Sequence, residues 1–278
     1  NVMEQTLQIA KDLGLDLSLL ESLADVDRPA DLPVWQQEQK AAGQQPRAQK
    51  LSIIIPALNE APTIESTLSA LQGIDHLEVI VVDGGSTDGT VDLARSWGAK
   101  VIQTRPGKAR QMNCGAAAAS GEILVFLHAD TRLPDDFLRL ILAALNHTGV
   151  VAGAFRLSID SRAAGIRFIQ RMAAVRSRYL QLPYGDQALF MKKSIFEKMG
   201  GFAEMPIMED FILVRRLKRK GKIVILPTAV ATSPRRWLHL GVYKTWLINQ
   251  LIIMAYYLGL PPERLTRMYR REAGKSGN

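Results

Sequence analysis

Three short segments carry acidic and polar residues in patterns suited to a charged ligand. They are Pro56-Ala57-Leu58-Asn59-Glu60, Asp83-Gly84-Gly85-Ser86-Thr87-Asp88-Gly89 and His128-Ala129-Asp130. On an extended chain His128 and Asp130 project the same way, because side chains alternate. A carboxylate two residues from an imidazole can hold a hard divalent cation, and the cation can hold a diphosphate. Magnesium or manganese suits such a site, since either keeps positions for phosphate and water. Farther on, Glu209-Asp210 opens a helical pattern, where unpaired backbone amides stabilise a carboxylate whether or not it catalyses anything. Plainer roles stand beside each of these: Pro56 ends a strand, Asn59 and Asp88 form turns, and Asp83 caps the next helix.

The elements that must position these residues follow from periodicity. Leu51–Pro56, Glu78–Asp83, Lys100–Gln103 and Glu122–His128 read as strands. Between and after them come helices from Pro62 to about Leu71, from a Ser86 or Thr87 cap to Gly98, over Ala109–Ala119 and over Pro134–Leu145. Asp135 and Asp136 are expected in the first turn of the last of these. Strand and helix alternating four times predict a mostly parallel α/β sheet covered on both faces, with ligands beyond the carboxyl ends of its strands. The loops after Ile55, Val82 and Leu127 are therefore where a site is expected. The later half reads as a mixed region: a basic amphipathic helix over Arg162–Leu180, a strand Ala188–Lys192 and a Ser194-x-x-Glu197 capping box with a short helix ending at Gly200-Gly201. A helix Glu209–Lys220, a strand Ile223–Leu226 and a long apolar helix Trp237–Leu258 complete it.

Composition narrows the class. The 278 residues are 47% hydrophobic and 22% charged, ordinary globular values that exclude disordered and collagenous chains. One cysteine, Cys114, permits no internal disulfide and no cysteine-built zinc site, and suits a reducing cytoplasm. The net charge of +8 is uneven: residues 1–160 hold 13 basic and 20 acidic side chains, residues 161–278 hold 22 and 7. The cationic half favours a polyanion, an anionic membrane or a phosphorylated small molecule. The apolar stretch Trp246–Leu260, interrupted by Asn249 and Gln250, falls short of the ~20 residues that cross a bilayer. The start, Asn1-Val2-Met3-Glu4, lacks a signal-peptide pattern, and its missing initial methionine suggests a piece of a longer chain.

Four segments, "LSIIIPALNE", "VIVVDGGSTDGT", "GEILVFLHADT" and "MEDFILVRRLKRKG", resemble in their order and spacing the GT-A nucleotide-sugar glycosyltransferases of inverting family 2. The likeness runs from Leu51 to about Tyr257 and is strongest to the branch with the "FLHADT" signature, a transferase 2 linked to arsenosugar biosynthesis. It implies a nucleoside diphosphate sugar donor, a hydroxyl-bearing small-molecule or lipid acceptor, and Mg2+ or Mn2+ as cofactor. Carried over by position, Pro56, Asn59, Glu60 and Asp83 would line the nucleotide pocket. Asp130 would ligate the metal, with His128, in place of the family's first Asp, or His239 as a further ligand candidate. Gly84 stands where many members have a second Asp, and Arg110 and Asn113 match an Arg-Asn pair with Arg110 displaced by two residues. Asp210 would be the catalytic base, with Glu209 and Asp186 on the acceptor side. Arg235-Arg236-Trp237 resembles the end of the Gln-x-x-Arg-Trp motif of processive relatives, with Ser233 where Gln would be. Its arginines would clamp the diphosphate and Trp237 would stack on a sugar.

The expected organisation is an extension or linker over 1–50, a nucleotide-sugar half over 51–160, an acceptor and catalytic half over 161–260, and a basic tail over 261–278. "DVDRPADL" in the first segment resembles the closing motif of a nucleotidyltransferase-like, transferase 1 domain. Two rivals remain. A nucleotidyltransferase would want a glycine-rich basic loop after the first strand, which "PALNEAPT" is not. A nucleic-acid or membrane-surface module would explain the basic half, but the basic residues are not interleaved with aromatics, so no nucleic acid is expected. The apolar helix before Leu258 either packs on the domain or makes a peripheral membrane contact.

Overall fold

The computed structural model describes residues 49–161, 165–235, 241–260, 264 and 266, within a compact unit Gln49–Asn278. Residues 1–48 of the expected extension or linker, with the "DVDRPADL" segment, lie outside the described residues. From Leu51 the chain alternates β1 (Leu51–Ala57), α1 (Ala61–Ser69), β2 (Leu77–Asp83), α2 (Thr90–Ser96), β3 (Lys100–Gln103), α3 (Lys108–Ala118) and β4 (Ile123–Phe126). Pro62 sits in the first turn of α1, where its missing N–H removes no intrahelical bond. The apolar runs are continuous because both sheet faces are covered. Ile53, Ile55, Val81 and Val125 pack with Ile64, Leu68, Phe137 and Ile141 on one side. On the other, Ile54, Val82, Leu124 and Phe126 pack with Met112, Ala116, Leu213 and Leu217.

The second half contains β5 (Thr131–Arg132), α4 (Phe137–Asn146), β6 (Val150–Ile159), α5 (Ile166–Leu180), a 3₁₀ turn Gly185–Gln187, β7 (Leu189–Lys192), α6 (Lys193–Lys198), α7 (Glu209–Lys218), β8 (Lys222–Thr232) and α8 (Val242–Tyr257). One eight-stranded sheet runs in the order β3-β2-β1-β4-β7-β6-β8-β5. Its β3-β2-β1-β4 portion is parallel. Beyond β4, β7 is antiparallel to both neighbours, β6 and β8 are parallel to each other, and β5 is antiparallel to β8. The α/β class with a mixed second half is thus as expected. No described helix is long and apolar enough to cross a membrane.

Several local expectations are corrected. Ser86 and Thr87 cap nothing: α2 starts after Gly89, whose φ of 79° suits glycine. Helix α4 begins at Phe137, after both aspartates, and Asp136 pairs with Arg139 at 2.6 Å. Ser194 forms no capping box, since α6 begins at Lys193 without a side-chain cap. Strand β6 was unmarked by the sequence pattern because Ala152, Gly153 and Ala154 break its apolar bulk. Gly153 is needed there, since a Cβ would run into the Phe190 ring on β7.

Candidate active site

The loops after β1 and β2 are tied into one wall. Asn59, with φ of 54°, donates its backbone N–H to Ser86 Oγ (2.8 Å) and accepts from the Thr87 N–H at its side-chain oxygen (2.9 Å). The Glu60 N–H reaches Thr90 Oγ1 at 2.9 Å, and Asp88 accepts from the Ala61 N–H at 3.1 Å. Asp83 is fully buried, and its carboxylate receives the N–H groups of Gly85 (3.0 Å) and Ser86 (3.1 Å). It shapes the loop that follows it, as an acidic residue at a strand end does in an Asx-type turn. Pro56 closes the same wall opposite Val82 in the strand register.

Beneath this wall lies a residue the sequence did not single out. Gln111, on the first turn of α3 and buried, donates from Nε2 to the carbonyls of Ala57 and Val82, both at 2.8 Å. A Cβ at Gly84 would lie 3.1 Å from that same Nε2. The glycine standing where many family members have an aspartate therefore accommodates Gln111. The available signal was spacing: Lys108 and Gln111 are three apart on a helix that starts at a strand-end loop, so they share a face.

Pairing of β5 with β8 brings the distant Arg235 to the first loop. Thr131 and Thr232 hydroxyls meet at 3.1 Å, and the Ser233 N–H donates to the Asp130 carbonyl at 3.1 Å. The Arg235 guanidinium then contacts Glu60 Oε2 at 2.6 Å and Thr63 Oγ1 at 3.2 Å. Burial, and next the Glu60 carboxylate, push the Asp130 carboxyl above its ordinary value, while Arg235 pulls it back. Glu60, Asp130 and Arg235 thus form one electrostatic group.

A second group gathers around Gly185. A Cβ there would lie 3.1 Å from Asp210 Oδ2, 3.2 Å from His128 Nε2 and 3.5 Å from Lys108 Nζ. Asp210, in the first turn of α7, accepts the Gly185 N–H at 2.6 Å on one oxygen and the Phe211 N–H at 2.7 Å on the other. Glu209 is buried with Lys108 Nζ at 3.5 Å. Burial raises its pKa, Lys108 lowers it and Asp210 raises it again. Behind Gly185, the buried Gln187 donates to the Phe155 carbonyl at 2.7 Å and accepts from Ser177 at 2.8 Å and Arg176 at 3.1 Å. Arg176 stacks 3.2 Å over the Tyr184 ring. Burial raises the Tyr184 pKa, Arg176 opposes this, and the Asp210 and Asp186 charges add to the rise. Gly185, Asp186 and Gln187 are expected from the sequence on the acceptor side, whereas nothing in the sequence pattern marks Lys108, Arg176 and Tyr184, which gather around them.

His128 and Asp130 end up in different groups. Strand β4 stops at Phe126, so the alternation that predicts a common direction no longer applies. Arg110 is engaged by Glu204 at 2.9 Å, and Asn113 exchanges two hydrogen bonds with the Phe202 backbone, a structural role. Arg236, Trp237 and His239 lie outside the described residues. Among the described residues no three His, Cys, Asp or Glu side chains converge into a metal cage. Magnesium or manganese bound mainly by phosphate oxygens and water needs only one or two protein carboxylates. Asp130 beside Glu60 fits that requirement, since a cation there would offset the burial and the Glu60 charge that raise the Asp130 pKa.

Residues 52–205 match the family described as Glycosyl transferase family 2. The chain belongs to that family. A relative, the probable glycosyltransferase YdaM of Bacillus subtilis (strain 168), is 29% identical over 237 residues, covering 74% of this chain and 55% of that protein. The chain spans about half the length of that relative. Among solved structures it is similar to the mannosyltransferase PcManGT from Pyrobaculum calidifontis in complex with GDP-Man and Mn2+. That likeness has a TM-score of 0.59 at 20% identity and covers 89% of this chain and 81% of the other. It is also similar to glucosyl-3-phosphoglycerate synthase from Mycobacterium tuberculosis in complex with phosphoglyceric acid, with a TM-score of 0.57 at 23% identity over 81% and 84% of the two chains. These likenesses are of fold, and the fold is GT-A.

Proposed function

We propose that this family 2 protein transfers a sugar from a nucleoside diphosphate sugar to a hydroxyl acceptor with inversion, Asp210 acting as general base. The observation that carries the reading is the setting of Asp210. Two backbone amides fix its carboxylate beside His128 and Lys108, at the end of the sheet where the loops converge. The acceptor oxygen attacks the anomeric carbon, the bond from that carbon to the diphosphate oxygen breaks, and the hydroxyl proton passes to Asp210. Fixing the base from two sides holds it in an attack geometry without reorganisation.

The wall of Pro56 and Asn59, in the loops that the buried Asp83 shapes, takes the nucleoside, and Glu60, Asp130 and Arg235, with Arg236 as a further candidate, take the diphosphate end. Asp130 would hold Mg2+ or Mn2+, with Glu60 beside it and His239 as a further ligand candidate, and the cation would neutralise charge on the leaving diphosphate. Glu209, Asp186 and Trp237 are assigned to the acceptor side, the acceptor being a small molecule or a lipid. Arg110, held by Glu204, contributes to the donor side only if that pair opens. The "FLHADT" signature supports the arsenosugar-linked branch, and a single cysteine supports a cytoplasmic setting.

A panel of nucleoside diphosphate sugars, with and without Mn2+, tests this. One donor should raise the melting temperature only with the cation present and release its nucleoside diphosphate. Absence of both responses across uridine and guanosine donors would overturn the reading.

A further inference from the structure

Helices α5 and α8 each bury one face and expose another that is apolar. In α5, Ile166, Ile169, Ala173 and Ser177 point inward, while Phe168, Met172, Val175 and Tyr179 form an exposed stripe at helical spacing, Tyr179 being 74% exposed. In α8, Val242, Thr245, Ile248, Ile252 and Ala255 are buried, while Tyr243, Leu247, Leu251 and Met254 are exposed along one line that Leu258, just past the helix, continues. The α8 helix therefore packs on the domain and still presents apolar side chains outward. The two stripes join at their N-terminal ends, where the Phe168 ring stands 6.4 Å from Tyr243 and 5.6 Å from Trp246. Single exposed apolar residues are ordinary, but two adjoining stripes need an occupant.

Charge selects that occupant. Neither helix contains an aspartate or glutamate. Arg167, Arg171 and Arg178 are exposed along the edge of the α5 stripe, and Lys244 lies in the first turn of α8. A second copy meeting this face through a two-fold axis would set like charges against each other. An anionic bilayer instead accepts the side chains among its acyl chains and the arginines among its headgroups, and tyrosine and tryptophan suit that boundary. We propose that the α5–α8 face docks on the surface of an anionic phospholipid bilayer. The docking is independent of the transfer reading. It also has a consequence for it: Tyr256 and Tyr257 of α8 pack edge-on against Phe211, the neighbour of Asp210, at 5.8 and 6.1 Å, so the proposed acceptor side lies next to the docked face.

The full chain is sedimented with vesicles of one part phosphatidylglycerol to two parts phosphatidylcholine, and with phosphatidylcholine alone, at about 0.1 M salt. Binding is expected to the anionic vesicles only. Replacing the exposed Met172 and Leu251 together by Glu should weaken it at least tenfold. The triple change Arg167→Gln, Arg171→Gln and Arg178→Gln should weaken it roughly 10–100-fold and flatten its salt dependence. Circular-dichroism melts check that both variants fold, and Tyr179→Glu, on the outermost position, provides a milder second probe. No sedimentation of the wild type, equal binding to neutral vesicles, or folded variants that bind as the wild type does would overturn the proposal. So would a wild-type dimer that Leu251→Glu converts to monomer, which would assign the face to a second copy.

Discussion

Asp210→Asn separates the chemistry of Asp210 from its structural duty, because the structure shows what the amide loses. The carboxylate accepts two backbone N–H groups, from Gly185 at 2.6 Å and Phe211 at 2.7 Å, one on each oxygen. An asparagine keeps one acceptor and turns an NH2 toward the other amide, donor against donor. Losing a hydrogen bond to a charged group costs about 1.5–3 kcal/mol. Relief of the repulsion between Asp210 and the buried Glu209 offsets part of this. The net loss should be about 1–2 kcal/mol, or a melting temperature lower by roughly 2–8 °C for a domain of this size. The protein stays folded at 25 °C. Removal of a general base lowers turnover by ~10²–10⁴, whereas donor affinity, which the proposed function assigns to the Asn59, Asp83 and Asp130 loops, should hold within a few-fold. Single-turnover release of the nucleoside diphosphate, melting curves and donor titration give the three readouts. A folded variant with turnover reduced less than tenfold would refute Asp210 as the base and move the role to Asp186.

Three further outcomes follow from the geometry. In Asp130→Asn the divalent-cation dependence should vanish with nearly all transfer. Because the folded pKa of Asp130 is raised, its carboxylate costs stability as pH rises above 3.8, so at neutral pH the variant should melt no lower than wild type. Glu209 has the same sign: its raised pKa means stability falls as pH climbs above 4.5, and Glu209→Gln should flatten that part of the stability profile measured by denaturant titration. Gln111→Leu keeps the volume but strips donors from two carbonyls, which should cost about 1–3 kcal/mol and weaken nucleotide binding by loosening the β1 and β2 loops. Unchanged denaturant midpoints would remove Gln111 from the site.

Periodicity and punctuation are local properties, and they made β1 to β4, their helices and the three strand-end loops legible before any coordinates. The second half was less so. Strand β6 carries glycine and alanine because Phe190 occupies the space beside it, and a neighbour's bulk leaves no mark on a strand's own pattern. The sequence pattern runs the fourth strand on to His128 because its apolar run continues through Leu127, whereas the paired register with β1 and β7 ends at Phe126 and only the Leu127 N–H, bonded to the Ile54 carbonyl at 3.0 Å, extends it.

The chain's own order of residue types determined that a parallel sheet ends in acidic loops and that Glu209-Asp210 heads a helix, since hydrophobic spacing and turn chemistry act over a few residues. Only the tertiary structure decided which of those groups meet. Arg235 pairs with Glu60 across 175 residues because β5 and β8 pair. Asp210 is fixed by Gly185 because α5 and the turn after it bring that amide to the head of α7. Such meetings depend on the packing of whole elements, and their strength on burial that raises the Asp130 and Glu209 pKa values, neither of which a linear sequence contains.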